Sequence, residues 1–436
     1  MVAKSHTPAV SASGAARLLA GIERASYKHR YLWYLLFLSL PLTHLLWGNI
    51  RPYEIVIIMS FVIIAVSGKL YHQRITVLDQ LVFIFGIFML LPVLLGTDSF
   101  YDSARQYRYR VLGPVLTYIV IRILPFAFKE ITRGQVLFLL VVVAQTLLAI
   151  LEYIKRGERP SGLTHWFVGY VIKYSFTVSL AIFFVLFTLL KTRIKTVKLI
   201  LLPILAVLLL GLVVGASRGV LAPFMVMLFS SAYIWKSKNR RGLMSLGVKA
   251  FYLVFLFSVA FSPPKFEYDE SVVLVGKDRD SLQRILAFDD YFRDVTNRMQ
   301  FWSGVFSMSL DKPMLGHGTA GFERSTEIEG AHKPHHSHNM LMTSAYTSGL
   351  IGLTIFVLII FSAVTLVKNF GGDRWDGEVI EKCFIGWFGI FMIVGLTNDI
   401  NGGIVILVFF MFAMMQKIAI HRRLVVAKEL SESMVA

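Results

Sequence analysis

The residues best suited to chemistry stand where apolar runs meet polar chain. His335-His336-Ser337-His338-Asn339 closes a long polar stretch and opens an apolar run at Met340-Leu341-Met342. Imidazole takes or gives a proton near neutral pH, and the mouth of a bilayer span is where an amphipathic substrate presents its polar group. Arg218 lies in Gly215-Ala216-Ser217-Arg218-Gly219, between two further apolar runs. An arginine at bilayer depth costs roughly 2.5 to 3.5 kcal/mol on insertion scales, so a helix end that keeps one normally uses it. Small neighbours leave room for a bulky anion, and the planar guanidinium can donate two parallel hydrogen bonds to a phosphate.

Further arginines recur at loop positions on the same side: Arg105, Arg108, Arg110, Arg156, Arg159 and Arg298. Each has a plain alternative, snorkelling to lipid headgroups or pairing with the acids of the polar stretch. The histidines also have one, because His332, His335, His336 and His338, with His317 nearby, are types that bind zinc or copper. No carboxylate-rich set or regular ligand spacing accompanies them, so the reading is metal-free. Asp278-Arg279-Asp280 reads as a solvated loop.

The elements that must position these groups are membrane helices. The chain has 436 residues, of which 56% are hydrophobic and 16% charged, with a mean hydropathy of +0.65. Soluble domains carry nearer 25% charged residues. Apolar runs at about 31–48, 53–68, 77–96, 110–128, 134–153, 170–190, 197–215, 218–235, 246–262, 339–367, 378–398 and 402–420 give twelve spans, counted to within one. The fold class is therefore all-α and polytopic.

Lysine and arginine in the short loops put both termini in the cytoplasm, and the net charge of +17 reads as the positive-inside bias. No stripe of nucleic-acid-reading residues appears, so no nucleic-acid partner is expected. The segments run as a cytoplasmic tail (1–30), nine spans (31–262), one large outer loop (263–338), three spans (339–420) and a second cytoplasmic tail (421–436). In the loop, Phe301, Trp302, Val305 and Phe306 fit a short amphipathic helix. Pro313-Met314-Leu315-Gly316-His317-Gly318 then breaks it, with glycines able to take positive φ. The lone Cys383 forms no internal disulfide or cysteine metal cage, which leaves helix packing to hold the fold.

Gly215-Ala216-Ser217-Arg218-Gly219, then Arg298-Met299-Gln300-Phe301-Trp302, Gly316-His317-Gly318, His336-Ser337-His338-Asn339 and Gly349-Leu350-Ile351-Gly352 resemble, in order and spacing, the O-antigen ligase and polymerase superfamily. The likeness covers about residues 200 to 403, including Asp399; the first five spans match in hydropathy alone. Length and the single large loop look most like the ligase branch.

The resemblance implies a membrane glycosyltransferase of GT-C-like architecture in the bacterial inner membrane, with its site at the periplasmic face. The donor would be an undecaprenyl-diphosphate-linked glycan and the acceptor a sugar hydroxyl of lipid A-core, both met among membrane lipids, with no cofactor. By motif, Arg218 and Arg298 match the family's pyrophosphate-handling arginines and His338 its catalytic histidine.

Candidate substrate contacts are Arg105, Arg108, Arg110, Arg159, Lys173, Trp302, His336, Asn339 and Asp399. Asp399 would orient the imidazole or merely cap a helix, Arg159 lies on a turn, and Trp302 would stack on a sugar or anchor the interface. The alternatives are the polymerase or a protein O-glycosyltransferase of the same superfamily, or a flippase that moves a lipid-linked glycan without bond making.

Overall fold

The computed structural model describes residues 12–42, 51–66, 75–95, 100–156, 171–215, 220, 224–225, 305–318, 339–368, 378–397 and 403–435. All the regular structure among them is helical, with no strand. In chain order the helices are α1 (Ala12–Lys28), α2 (Arg30–Ser39), α3 (Pro52–Val66), α4 (Val77–Phe88), α5 (Leu90–Leu95) and α6 (Phe100–Tyr107). A π-helical turn (Arg108–Leu112) leads into α7 (Gly113–Ile123), followed by α8 (Phe128–Arg156), α9 (Val171–Lys191), α10 (Lys195–Gly215), α11 (Met340–Lys368), α12 (Glu378–Thr397) and α13 (Gly403–Val435).

Six helical stretches are long and apolar enough to cross a membrane: Val77–Leu95, Phe128–Lys155, Lys173–Lys191, Lys195–Gly215, Met340–Leu366 and Ile404–Val426. The chain reads as a multi-pass membrane protein. Lys173–Lys191 and Ile404–Val426 are 89% buried against 39% for Val77–Leu95, which makes α9 and α13 the central helices. A helix apolar all round belongs in the interior of such a bundle. Around them α13 packs on α7 and α12, α9 on α10 and α12, α11 on α4, and α2 on α8.

Close approach relies on small residues, as expected where lipid is as apolar as the helix interior. A Cβ added at Gly211 would strike Thr146 Cγ2, and one at Gly215 would meet Ser175 Oγ at 2.7 Å. Thr146 and Ser179 satisfy their buried hydroxyls within their own helices, Thr146 donating to the Val142 carbonyl at 2.7 Å and Ser179 to the Ser175 carbonyl at 2.8 Å. In a medium without water each would otherwise cost several kcal/mol.

Some helices run past the expected span boundaries and one stops short of them. Residues 12–28 of the N-terminal tail are a helix that packs on α13, and α13 runs on through most of the C-terminal tail. The span at 110–128 is shorter, because α7 ends at Ile123, where Leu124 turns extended and donates its N–H back to the Val120 carbonyl. The expected spans 218–235 and 246–262 lie almost wholly outside the described residues, as do most of the large loop and Arg156's neighbour Arg159.

Helix ends gather at two poles. At one, Thr76 and Asp79 form a capping box at the start of α4. The same Asp79 carboxylate takes bonds from Arg122 Nε at 2.6 Å and Nη2 at 2.8 Å, and from Tyr118 Oη at 2.7 Å. Lys417 donates to the Leu124 carbonyl beside it, and Trp33 Nε1 to Pro125 at 2.8 Å. Arg422 pairs with Glu381 at 3.4 Å. The other pole carries the candidate site.

Candidate active site

Three of the expected arginines come from one irregular stretch. Arg105 lies in the last turn of α6, and Arg108 and Arg110 belong to the π-turn that joins it to α7. One extra residue in a turn rotates the side chains that follow, and such turns are frequent at functional sites. Arg105 is exposed, whereas Arg108 and Arg110 are half-buried.

Arg110 lines a small cleft of about 80 Å³. Phe85, Met89, Phe356, Phe391, Val405 and Phe409 make its apolar wall, and Thr343, Ser344, Thr347 and Ser348 face them from the first turns of α11. One guanidinium, four hydroxyls and an aromatic wall suit an amphipathic ligand with a polar, anionic head. Thr347 donates to the Thr343 carbonyl at 2.7 Å and Ser348 to Ser344 at 2.6 Å. Their hydrogens are thus used, but each oxygen keeps a lone pair that can accept from a sugar hydroxyl.

Asn339 directly follows the histidine tract and is the N-cap of α11. Its side-chain oxygen accepts from the Leu341 N–H at 2.9 Å and the Met342 N–H at 3.3 Å. The sequence suggested a substrate contact; the geometry gives this carboxamide oxygen to the helix, an arrangement worth typically about 1 kcal/mol.

The two glycine motifs form one clamp. Gly349 breaks α11 with φ +64° and ψ −170°, releasing carbonyls on the turn before it. His317 N–H donates to Tyr346 O at 2.8 Å, Gly318 N–H to Thr347 O at 3.1 Å, and Leu350 N–H to Pro313 O at 2.7 Å. Gly316 and Gly318 take φ +69° and +84°, so the expected positive-φ turn is present. A Cβ on Gly349 would run into the Met314 carbonyl, and one on Gly316 into Gly349 N at 2.6 Å. His317 stacks on Tyr346 with ring centroids 4.5 Å apart, and its Nε2 lies 2.8 Å from the Met308 carbonyl. The segment 305–318 is therefore pinned to the helix whose next face lines the cleft.

Lys173, in the first turn of α9, is buried at 5% exposure. The sequence marked it as a candidate substrate contact but did not single out Arg51, whose charge reaches it, or Glu54 and Tyr109 beside Arg51. Arg51 immediately precedes α3, a position whose only signal was a cation beside Pro52.

Arg218, Arg298 and His338, with Arg159, Trp302, His336 and Asp399, lie outside the described residues. What flanks Arg218 is described: Gly215 closes α10 against Tyr174 and Ser175, next to Lys173, and Val220 is fully buried.

The O-antigen ligase family model matches residues 203–357. Over that stretch the chain carries a domain of the O-antigen ligase/polymerase superfamily. The matched stretch runs from within α10 to within α11 and contains Arg218, Arg298, His338 and both glycine motifs of the clamp. No curated protein matches the chain. Members of this superfamily are glycosyltransferase-like enzymes of O-antigen biosynthesis, which gives the cleft its chemical context.

Proposed function

We propose that this protein is an O-antigen ligase, moving a glycan from undecaprenyl diphosphate to a sugar hydroxyl of lipid A-core at the periplasmic face of the inner membrane. The observation that carries the reading is the family match over the segment that holds Arg218, Arg298 and His338. The cleft supports it, because a buried aromatic wall, Arg110 and a row of hydroxyls lining one cleft suit the junction of polyprenyl chain, phosphate and sugar.

In the reaction the acceptor oxygen forms a bond to the anomeric carbon as the bond from that carbon to the diphosphate oxygen breaks. His338 takes the acceptor's proton, a role worth typically 10²- to 10⁴-fold. Negative charge grows on the departing undecaprenyl diphosphate, and Arg218 and Arg298 stabilise it more in the transition state than in the ground state. Attack opposite the leaving group inverts the anomeric centre. No step calls for a metal or a nucleotide.

The test is transfer by purified protein from an undecaprenyl-diphosphate glycan to lipid A-core, read as a product of higher mass. His338→Ala, Arg218→Ala and Arg298→Ala abolish that product while the variants keep the wild-type melting profile. Elongation of the donor alone, with no acceptor present, would instead assign the polymerase activity of the same superfamily.

A further inference from the structure

Arg51 and Arg108 come from two separate helix beginnings and meet around one tyrosine, and the buried Lys173 at the start of a third helix lies within reach of the Arg51 charge. The Arg51 and Arg108 guanidinium carbons lie 4.4 and 4.5 Å from the centre of the Tyr109 ring. Arg108 Nη2 donates to Tyr109 Oη at 2.6 Å and stands 3.9 Å from Glu54 Oε2. Glu54 also accepts from the Arg51 backbone N–H at 3.3 Å. The charge of Arg51 reaches Lys173. Among the described residues, three cations thus share this place with one carboxylate.

Two of these cations are left over. The Lys173 ammonium and the Nε and Nη1 of Arg51 are buried with no hydrogen-bond partner among the described residues. A buried donor without a partner costs roughly 1 to 3 kcal/mol, more when charged, and the phenol ring offers only its face. Position adds to the cost. Arg51 stands directly before α3 and Lys173 lies in the first turn of α9, where the helix dipole repels cations and attracts anions. Burial and the neighbouring Arg108 already pull the Arg51 guanidinium below its ordinary value. An oxyanion with several acceptor oxygens would satisfy every one of these groups at once.

We propose that Arg51, Arg108 and Lys173 form a buried binding site for the phosphate of an amphipathic lipid, with Tyr109 holding the two guanidinium planes in place. The phosphate has two possible sources, the diphosphate of a polyprenyl-linked donor and the headgroup of a bilayer phospholipid. Assigning it to the donor rests on the glycan-transfer reading; the site itself does not. The π-turn that carries Arg108 also carries Arg110 into the cleft, two residues further on and on a different face of the helix.

The experiment is thermal unfolding of the full chain in lipid nanodiscs, followed by tryptophan fluorescence, for wild type, Lys173→Met and Arg51→Gln. Inorganic pyrophosphate, undecaprenyl diphosphate and phosphatidylglycerol are the probes, and uncharged undecaprenol is the control. Wild type melts higher with a phosphate probe and not with undecaprenol. Lys173→Met melts higher than wild type without any probe, since an unpaired buried charge is gone, yet binds the probe roughly ten- to a hundredfold more weakly. Arg51→Gln loses affinity in the same range.

Saturation by undecaprenyl diphosphate below the concentration needed for phosphatidylglycerol assigns the donor, and the reverse order assigns a structural lipid. The site is overturned if no phosphate probe stabilises wild type, if undecaprenol does so equally, or if Lys173→Met responds as wild type does. Transfer that persists without such binding refutes the site alone, and binding without transfer refutes the enzymatic reading alone.

Discussion

At the scale of single residues, the separation of charge between the two poles explains what each charged group does. Asp79 is satisfied on every side, by the α4 cap, by Tyr118 and by a two-pronged Arg122 whose side chain is 7% exposed. Breaking a buried pair by removing one partner costs roughly 3 to 5 kcal/mol because the other charge remains. Asp79→Ala therefore lowers the melting temperature in detergent sharply, whereas Asp79→Ala with Arg122→Met recovers much of the loss. Single and double mutants melting alike would refute the pairing. Arg110 is a half-buried cation that lines the cleft. Arg110→Ala lowers transfer at least tenfold with little change in melting, and Arg110→Lys restores part of it, since lysine supplies charge but not the planar fork.

At the scale of elements, the site depends on a break in one helix and a π-turn before another. Gly349 frees the carbonyls that fix residues 313–318, and the same turn of α11 presents Thr347 and Ser348 to the cleft. Gly349→Ala collides with the Met314 carbonyl and must adopt a φ that side chains rarely take. The substitution exposes the 305–318 segment to limited proteolysis and lowers transfer together, while Gly21→Ala, which meets nothing within 4 Å, does neither.

Much of this was readable in the sequence. Gly316-His317-Gly318 and Gly349-Leu350-Ile351-Gly352 marked both halves of the clamp, and hydropathy located every span now seen as a long helix. That the halves lock together was not readable, because a contact between residues 317 and 346 leaves no local pattern. The hydroxyl row at Thr343, Ser344, Thr347 and Ser348 did have a helical spacing, yet serine and threonine are tolerated anywhere in a membrane helix that can bond them to its own backbone. Arg51 had no periodic signal at all. Its role depends on Tyr109 and Lys173, which only folding brings near.

At the scale of the whole molecule, two central helices, α9 and α13, carry a bundle with differently built poles. The Asp79 pole is closed by ion pairs and caps, and the Arg110 pole holds the cleft, the clamp and the unsatisfied cations. We take the latter as the periplasmic side. Cys383 is fully buried, so a membrane-impermeant maleimide should label Lys312→Cys in intact spheroplasts and leave Lys129→Cys unlabelled until the membrane is opened. The reverse pattern would invert the topology and remove the periplasmic site.

The central claim, glycan transfer with His338 as base, is tested most directly by incubating purified wild type and His338→Ala with an undecaprenyl-diphosphate glycan and lipid A-core. A glycosylated lipid A-core is expected from the wild type, formed with EDTA present and no nucleotide added, and none from a correctly folded His338→Ala. Undiminished product from His338→Ala, or loss of the wild-type product in EDTA with rescue by zinc, would contradict it.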